Sequence, residues 1–228
     1  MRLTGLREPV ITIDGPAGAG KSTVARRLAR RLGFSLVSTG ALYRAMAWAV
    51  KEAGVKPEDE PALRAVLDRT TVALVGARVL VNGRDVSGEI RTPEITELTS
   101  QLTTLRPVRD KMTPLQRGLA APGGVVLEGR DTGSVVWPQA EVKFYLDADV
   151  QTRARRRQTD LRMHGIEMDL GAVQAEVAAR DQQDMNRTLA PLVKPEGAAV
   201  VDSTGLTLDE VVGRMIQTVE QVLCCTGS

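Results

Sequence analysis

Short apolar runs alternate with longer segments of helical periodicity along most of this chain of 228 residues. The runs are rich in β-branched residues and end at polar or glycine positions, as buried parallel strands do. They lie at residues 10–13, 34–37, 124–127, 142–146 and 198–201. Apolar residues at helical spacing follow the first, second and last of them. The alternation predicts a three-layer α/β/α fold with a parallel central sheet.

This rhythm breaks between residues 58 and 91. A short helix is predicted around residues 61–67, and two β-rich runs follow at 71–75 and 78–81. The dipeptide Asn82-Gly83, directly after the second run, is typical of tight hairpin turns. The segment therefore predicts a small antiparallel insertion.

Helical patterning dominates two further segments. Residues 92–121 are predicted to be helical, with breaks near Pro107 and Pro114 because proline removes a backbone donor and crowds the preceding turn. A final amphipathic helix is expected to begin after Thr207, which is a suitable N-cap residue. These helices flank the last predicted strands.

A glycine-rich segment follows the first predicted strand and opens the first helix. It contains a glycine, four free positions and Gly-Lys-Ser, the phosphate-binding pattern called the P-loop. Its residues are Gly15, Pro16, Ala17, Gly18, Ala19, Gly20, Lys21, Ser22 and Thr23. Glycines let backbone N–H groups approach an anion, and the helix N-terminus adds further donors. We expect Lys21 to reach the β- and γ-phosphates of a nucleotide and Ser22 to ligate Mg²⁺. A glycine turn that serves packing alone is the alternative.

Charged residues gather after the predicted strands, at the edge where open α/β sheets bind ligands. Arg44 follows the second strand, and the pair Arg130-Asp131 follows the third, between two glycines. Five further arginines crowd residues 153–162, after the fourth strand. They are typical of a lid that closes over phosphates, although a solvated basic helix balanced by nearby acids would have the same composition.

We expect a single domain, because this length suits one α/β domain with insertions. Its core is expected at about residues 8–57, 92–150 and 190–225, its insertion at about 58–91 and its lid at about 151–189.

Composition excludes several classes of function. The 30 basic and 28 acidic residues nearly balance, so the chain has no excess of positive charge that would attract nucleic acid. Aromatic residues make up 3% of the chain, which leaves few side chains on which bases could stack. Residues 1–8 lack the apolar core of a signal peptide, and no run reaches the length of a spanning helix. We therefore expect a cytoplasmic protein without nucleic acid or membrane partners. We also expect it to be a monomer. The two cysteines are adjacent and near the C-terminus, so they cannot form a disulfide that joins distant parts of the fold. With one histidine, the chain also lacks the residues of a Ser-His-Asp or Cys-His nucleophile system.

Together, the P-loop and the arginines indicate phosphoryl transfer between two bound phosphates. Cations on both sides offset the repulsion of the phosphates and stabilise the transition state. These features do not identify the molecule that accepts the phosphoryl group. UMP, AMP and a non-nucleotide metabolite remain possible acceptors. A nucleotide-gated switch would need a base-reading Asn-Lys-x-Asp segment, which the sequence lacks.

Five motifs resemble those of the bacterial cytidylate kinases, the CMP kinase branch of the nucleoside monophosphate kinases. They occupy residues 11–22, 39–44, 85–91, 128–136 and 186–192. The P-loop is shared by many families, whereas the insertion motif and the two arginine motifs are much more specific. Together they span almost the whole chain in the expected order. Ser38 and Trp137 depart from the family pattern, where an acid and a phenylalanine are common.

The resemblance implies phosphorylation of CMP and dCMP to CDP and dCDP by ATP and Mg²⁺, through direct in-line transfer without a covalent enzyme intermediate. Carried over by motif, the catalytic residues are Lys21, Arg130, Arg187, Arg153 and Arg157, the last two from the lid. The residues implied to bind the CMP phosphate are Arg44, Arg130 and Arg187. Ser100, Arg109 and Asp131 are implied to contact the cytosine, and Arg180 and Asp184 the sugar. Thr39 is also implied to bind CMP.

Overall fold

The computed structural model describes residues 8–163 and 165–225. Most of the N-terminal segment that was expected to lack a signal peptide lies outside the described residues. The elements in chain order are β1 (Val10–Asp14), α1 (Lys21–Leu32), β2 (Ser35–Ser38), α2 (Thr39–Glu52), α3 (Glu60–Arg69), β3 (Val72–Val75), β4 (Arg78–Val81), β5 (Arg84–Asp85), α4 (Pro93–Leu102), α5 (Arg106–Ala120), β6 (Val125–Glu128), β7 (Val142–Asp147), α6 (Val150–Met163), α7 (Leu170–Asn186), β8 (Ala199–Asp202) and α8 (Leu208–Cys225).

The chain divides into two compact units. The first comprises Met1–Leu36 and Ala120–Ser228, and the second comprises Val37–Leu119. The predicted insertion at 58–91 falls within the second unit, together with α2, α4 and α5. The expectation of a single domain stays a prediction.

A five-stranded sheet in the order β2-β6-β1-β7-β8 forms the centre of the fold. The strand β1 is buried along its whole length and pairs in parallel with both β6 and β7. In this register Ile13 lies opposite Glu128 on one side and Phe144 on the other. The carboxyl ends of β1, β6 and β7 therefore lie at the same edge of the sheet, and the P-loop follows β1 at that edge. The predicted parallel central sheet is confirmed.

The helices α1 and α8 supply the main core of the first unit. Val24, Ala25 and Leu28 recur at helical spacing on α1 and pack with the sheet residues Ile11 and Phe144. The helix ends at a left-handed glycine, Gly33, whose N–H is bonded to the carbonyls of the last turn. On α8, Val211, Val212, Met215 and Val219 complete the cluster. The apolar residues that recur at helical spacing in the sequence therefore form the buried faces of α1 and α8.

The second unit contains a three-stranded antiparallel sheet in the order β3-β4-β5. Asn82 and Gly83 both have positive φ, at 48° and 82°, as a two-residue hairpin turn requires. The predicted antiparallel excursion is confirmed, with the short β5 as an additional strand. A 3₁₀ turn at Glu89–Arg91 leads from it into the remaining helices.

The predicted break at Pro114 is wrong. Pro114 lies inside α5, which runs without interruption, whereas the predicted break near Pro107 agrees with the non-helical residues 103–105 between α4 and α5. Pro114 is exposed, and so is Asp110, whose carbonyl loses its intrahelical donor. Solvent can satisfy that carbonyl, and the buried face with Val108, Met112 and Ala120 holds the helix together.

We expect Gly15→Ala to lower the free energy of unfolding by about 2 to 4 kcal/mol. A Cβ at Gly15 would lie 2.0 Å from the carbonyl oxygen of Leu146, so the backbone of β7 or of the P-loop would have to move. Chemical denaturation monitored by circular dichroism measures the change.

Gly213→Ala is the matched control. Gly213 lies inside α8, and a Cβ there would meet no atom within 4 Å. Alanine should stabilise this helix by about 0.5 to 1 kcal/mol. If Gly15→Ala and Gly213→Ala change stability alike, the close approach of β7 to the P-loop does not restrict position 15.

Candidate active site

A cavity of about 490 Å³ opens at the carboxyl edge of the sheet in the first unit. Its lining comes from the P-loop, the end of β6, the helix α6 and the segment after β8. It includes Lys21, Ser22, Glu128 and Arg130. Backbone donors, cations and a carboxylate therefore face one space, where a polyanion can be bound.

The P-loop turns its backbone with left-handed glycines. Gly18 has φ +74° and Gly20 has φ +90°, and Gly20 caps the N-terminus of α1 without a side-chain bond. Left-handed residues in a turn allow neighbouring N–H groups to form a concavity that suits phosphate oxygens. A Cβ at Gly18 would lie 2.7 Å from the carbonyl oxygen of Arg153, so α6 approaches the loop backbone closely.

Lys21 is buried at the base of this loop. Its Nζ donates a hydrogen bond of 2.7 Å to the carbonyl oxygen of Pro16. Burial, and then the neighbouring Arg130 cation, hold the pKa of Lys21 well below its usual range, against the opposite effect of Glu128, Asp14 and Asp184. A polyphosphate at the loop would add negative charge and favour the protonated lysine.

Ser22 donates a hydrogen bond of 3.0 Å to Oε1 of Glu128. Glu128 is buried at the end of β6, and both residues line the cavity. A hydroxyl beside a carboxylate, next to a phosphate site, is an oxygen donor set that suits Mg²⁺. The sequence-based site assignment omitted Glu128, although its signal was present: an acid at the carboxyl end of a buried strand.

Asp14 links the end of β1 to the segment after β6. Its carboxylate accepts hydrogen bonds from the Thr132 N–H at 2.8 Å, the Thr132 hydroxyl at 2.8 Å and the Gly133 N–H at 2.7 Å. These residues begin a π-helical turn at Thr132–Val136, directly after Arg130 and Asp131. Burial raises the pKa of Asp14 to about 6 despite the three donors. Sequence reasoning did not foresee this bridge.

The structure brings together several residues implied to bind the acceptor. Arg130 Nε donates to Asp184 at 2.9 Å, and Arg187 lies 3.4 Å from Asp131 and 3.5 Å from Asp184. The side chains of Asp131, Asp184 and Arg187 are all less than a tenth exposed. We call Arg130, Asp131, Asp184 and Arg187 the charged cluster. Arg180 is half-buried one turn before Asp184 on α7.

The lid arginines differ in their surroundings. Arg157 lies 3.3 Å from Glu176 and joins α6 to α7 near the surface. Arg156, which the site assignment omitted, lines the cavity and donates to the backbone of Ala19 at 3.1 Å and to the hydroxyl of Ser203 at 2.9 Å. Arg153 is buried and donates to the carbonyl of a P-loop residue. Phosphate contacts of Arg153 and Arg157 stay predictions.

Four residues implied to bind CMP lie in the second unit. Thr39 is buried at the start of α2, whose N-cap Ser38 accepts from the Ala41 N–H at 3.2 Å. Arg44 is half-buried on the next turn, and Ser100 is half-buried on α4. Serine thus caps α2 at the position where the family often has an acid.

Arg109 is held in a defined orientation within the second unit. It is buried on α5, and its Nη1 donates to the carbonyl oxygen of Thr103 at 3.1 Å. The guanidinium carbon also lies 5.9 Å from the ring centroid of Tyr43, within the range of cation–π attraction. Two separate contacts therefore fix its plane.

The family model for cytidylate kinase matches residues 11–221, which include the P-loop, the charged cluster and both lid helices. The chain belongs to the cytidylate kinase family. The resemblance drawn from the motifs is confirmed, and the protein is an enzyme that phosphorylates a nucleoside monophosphate with ATP.

Curated relatives match the chain over nearly its full length. The cytidylate kinase of Symbiobacterium thermophilum is 47% identical over 93% of this chain and 96% of that protein. That of Geobacter sulfurreducens is 44% identical over 97% of each. The bifunctional pantoate ligase/cytidylate kinase of Synechocystis is 45% identical over 92% of this chain, which covers 42% of that longer protein.

A solved structure shares the fold. An uncharacterized protein from Eubacterium ventriosum aligns with a TM-score of 0.53 and 12% identity, over 93% of this chain and 99% of that one.

Within residues 8–163 and 165–225, no helix combines the length and apolar character that a membrane span requires.

We expect Asp14→Asn to remove a pH dependence of stability between about pH 4 and about pH 6. The pKa of Asp14 is about 6 in the fold and 3.8 in the reference state, so the folded protein keeps this proton after the unfolded chain has released it. The contribution of Asp14 to the unfolding free energy of the wild type should fall by about 3 kcal/mol as pH rises through this window. Urea unfolding of both proteins across the window measures the difference.

Asp149→Asn serves as the control. The hydroxyl and N–H of Thr152 lower the pKa of this exposed carboxylate, so its contribution to stability is present throughout the window and is lost only as pH falls below it. A constant difference in stability between wild type and Asp14→Asn across the window would contradict the pKa of about 6.

Proposed function

We propose that the protein transfers the γ-phosphoryl group of ATP to CMP and dCMP, forming CDP and dCDP by direct in-line displacement with Mg²⁺. The charged cluster is the observation that carries this proposal. It places two arginines at the carboxyl edge of the sheet, in the same unit as the P-loop, and Arg130 also lines the phosphate cavity. Transfer to an acceptor that is itself an anion needs cations in this position.

The donor side is assigned to the P-loop. Its left-handed glycines suit the β- and γ-phosphates, and Lys21 supplies a buried cation beside them. Ser22 and Glu128 would hold Mg²⁺ together with phosphate oxygens and water. When bound, this ion supplies charge neutralisation at the phosphates. The adjacent hydroxyl and carboxylate, 3.0 Å apart, support that assignment.

The acceptor phosphate is assigned to Arg130 and Arg187, with Arg44 of the second unit as a further contact. Two carboxylates offset the two arginines of the charged cluster, so they can be buried before substrate arrives. An acceptor phosphate would then exchange with a carboxylate as the arginine's partner. The attacking atom is a phosphate oxygen, which is already ionised, so no general base is required.

Cytosine recognition is assigned to Asp131, Arg109 and Ser100, and the sugar to Asp184 with Arg180. Cytosine presents an amino donor beside a ring-nitrogen acceptor, whereas uracil presents a carbonyl beside an N–H. An ionised carboxylate accepts from the amine and is mismatched to the carbonyl. The fixed guanidinium of Arg109 supplies donors of the complementary kind. A cytoplasmic monomer remains our expectation for the assembled protein.

We expect Lys21→Ala to lower kcat/KM for CMP about a thousandfold, because it removes the buried cation beside the transferred phosphoryl group. A coupled assay with ATP, Mg²⁺ and either CMP, dCMP, UMP or AMP measures turnover for each acceptor. The wild type should prefer CMP and dCMP. Lys51→Ala, which removes an exposed pair with Glu94, is the control and should retain wild-type turnover. If Lys21→Ala turns over CMP nearly as fast as Lys51→Ala, the assignment of the P-loop to the donor is refuted. If the wild type prefers UMP or AMP to CMP, the proposed acceptor is refuted.

We expect Asp131→Asn to lower kcat/KM for CMP and to reduce the handicap of UMP. The amide keeps the side-chain shape but can direct a donor toward the uracil carbonyl. A site built on such polar groups discriminates by about 10⁴-fold, so a large change in the CMP/UMP ratio is measurable.

Asp184→Asn is the matched control for this experiment. Asp184 lies at a similar distance from Arg187, 3.5 Å against 3.4 Å, but its assigned contact is the sugar that both nucleotides share. It should lower turnover of CMP and UMP by similar factors. If Asp131→Asn also leaves the ratio unchanged, Asp131 positions Arg187 and does not read the base.

A further inference from the structure

The backbone of one P-loop residue, Ala17, is bonded to both α6 and α7. The N–H of Ala17 donates to Oδ1 of Asp181 on α7 at 2.9 Å. The carbonyl oxygen of Ala17 accepts from Nη1 of Arg153 on α6, also at 2.9 Å. The same Nη1 is bonded to the second carboxylate oxygen of Asp181. Asp181, Arg153 and the backbone N–H and C=O of Ala17 therefore close a ring of hydrogen bonds, which we call the Ala17 clamp.

The clamp is buried and its polar groups are satisfied. Asp181 is 6% exposed and Arg153 is 8% exposed. Arg153 Nε makes a further bond of 2.9 Å to the carbonyl oxygen of Ala148. An ion pair of this kind adds little to stability over an apolar pair of the same shape, because burying both charges is costly. Its value lies in fixing one arrangement of the groups that it joins.

The side chain of Ala17 adds an apolar contact to the same junction. It packs against the small core between α6 and α7, which contains Ala154, Leu161, Val173 and Val177. Ala17 thus belongs to the packing of the lid helices and, through its backbone, to the P-loop. A shift of either element would break both the apolar contact and the clamp.

The helix α7 continues from the clamp to the charged cluster. Asp181 contacts the P-loop, and Asp184, one turn later, accepts from Arg130 at 2.9 Å. Arg187 follows the end of the helix and lies 3.4 Å from Asp131. A single helix therefore connects the loop assigned to ATP with the arginines assigned to the acceptor phosphate.

We propose that Asp181 is a positioning residue that sets the P-loop for ATP through the backbone of Ala17 and couples it, along α7, to the acceptor arginines. The coupling part of this inference rests on the proposed function. ATP that orders the P-loop stabilises the clamp, hence the position of α7, and so favours acceptor binding. By linkage, CMP favours ATP binding to the same extent.

Asp181→Asn tests the clamp with little change in shape. Its amide oxygen can still accept from Ala17, but its NH₂ group faces Nη1 of Arg153, donor against donor. Calorimetric titration with a non-hydrolysable ATP analogue and with CMP, separately and together, measures the affinities and their coupling. We expect the affinity for the analogue to fall about tenfold, since a charge-assisted bond that positions the loop is lost. The affinity for CMP alone should change less than twofold, and the factor by which the analogue tightens CMP should shrink.

Glu167→Gln is the matched control, because it removes an exposed carboxylate from its pair with Arg162 in the same helical hairpin. It should leave both affinities and their coupling as in the wild type. A merely structural Asp181 would lower the melting temperature and leave the analogue's affinity within twofold of the wild type, which would overturn the proposal. Asp181→Ala should show a larger loss than Asp181→Asn if it folds. Wild-type protein that binds the analogue but not CMP would refute the proposed acceptor, while the loss of analogue affinity in Asp181→Asn would still support the positioning of the P-loop.

Discussion

Charged side chains are buried at one edge of the central sheet, and the cost of burying them governs how this site is built. An isolated charge in a protein interior is strongly disfavoured, whereas a charge with a partner and hydrogen bonds is tolerated. Lys21, Asp14, Asp181 and Asp184 are all less than a tenth exposed in the first unit. Their partners decide which loops can approach one another, so the geometry of the site follows from charge pairing.

Carboxylates hold the loops of the site more than regular secondary structure does. Asp14 binds the two N–H groups that open the turn after Arg130 and Asp131. Asp181 binds the P-loop N–H of Ala17, and Asp184 binds the Arg130 side chain. In each case a carboxylate oxygen accepts from a donor in a loop or at the first residues of the π-helical turn. Because the two oxygens of a carboxylate can together accept several hydrogen bonds, a few acids position the P-loop, the segment after β6 and α7 together.

Much of the fold could be predicted because local patterns specify it. The strands, the P-loop and the Asn82-Gly83 turn depend on residues within a few positions of one another, and all three agree with the structure. Pro114 was misjudged because a local rule met a helix whose buried face outweighs one missing hydrogen bond. Tertiary packing settles such conflicts, and it is not visible in a short window of sequence.

The contacts within the site were less predictable, because they join residues far apart in the chain. Asp14 and Thr132 are 118 positions apart, and Ala17 and Asp181 are 164 apart. Among neighbouring lid arginines the sequence offers no means to choose, since helical rotation alone turns Arg156 to the cavity and Arg157 toward Glu176. Family motifs supplied residue identities, but the pairings come only from the fold.

The depressed pKa of Lys21 shows why such a site suits a polyanion. Burial and the Arg130 cation disfavour the charged lysine, and the nearby carboxylates offset only part of that cost. A triphosphate at the proposed site would bring negative charge beside a lysine whose charged form is disfavoured by burial. The interaction is strongest for a ligand whose charge lies beside Lys21 and Arg130 at once. In the function that we propose, a phosphoryl group passing between a donor and an acceptor phosphate would meet that condition, so the same electrostatics that favour binding would also favour transfer.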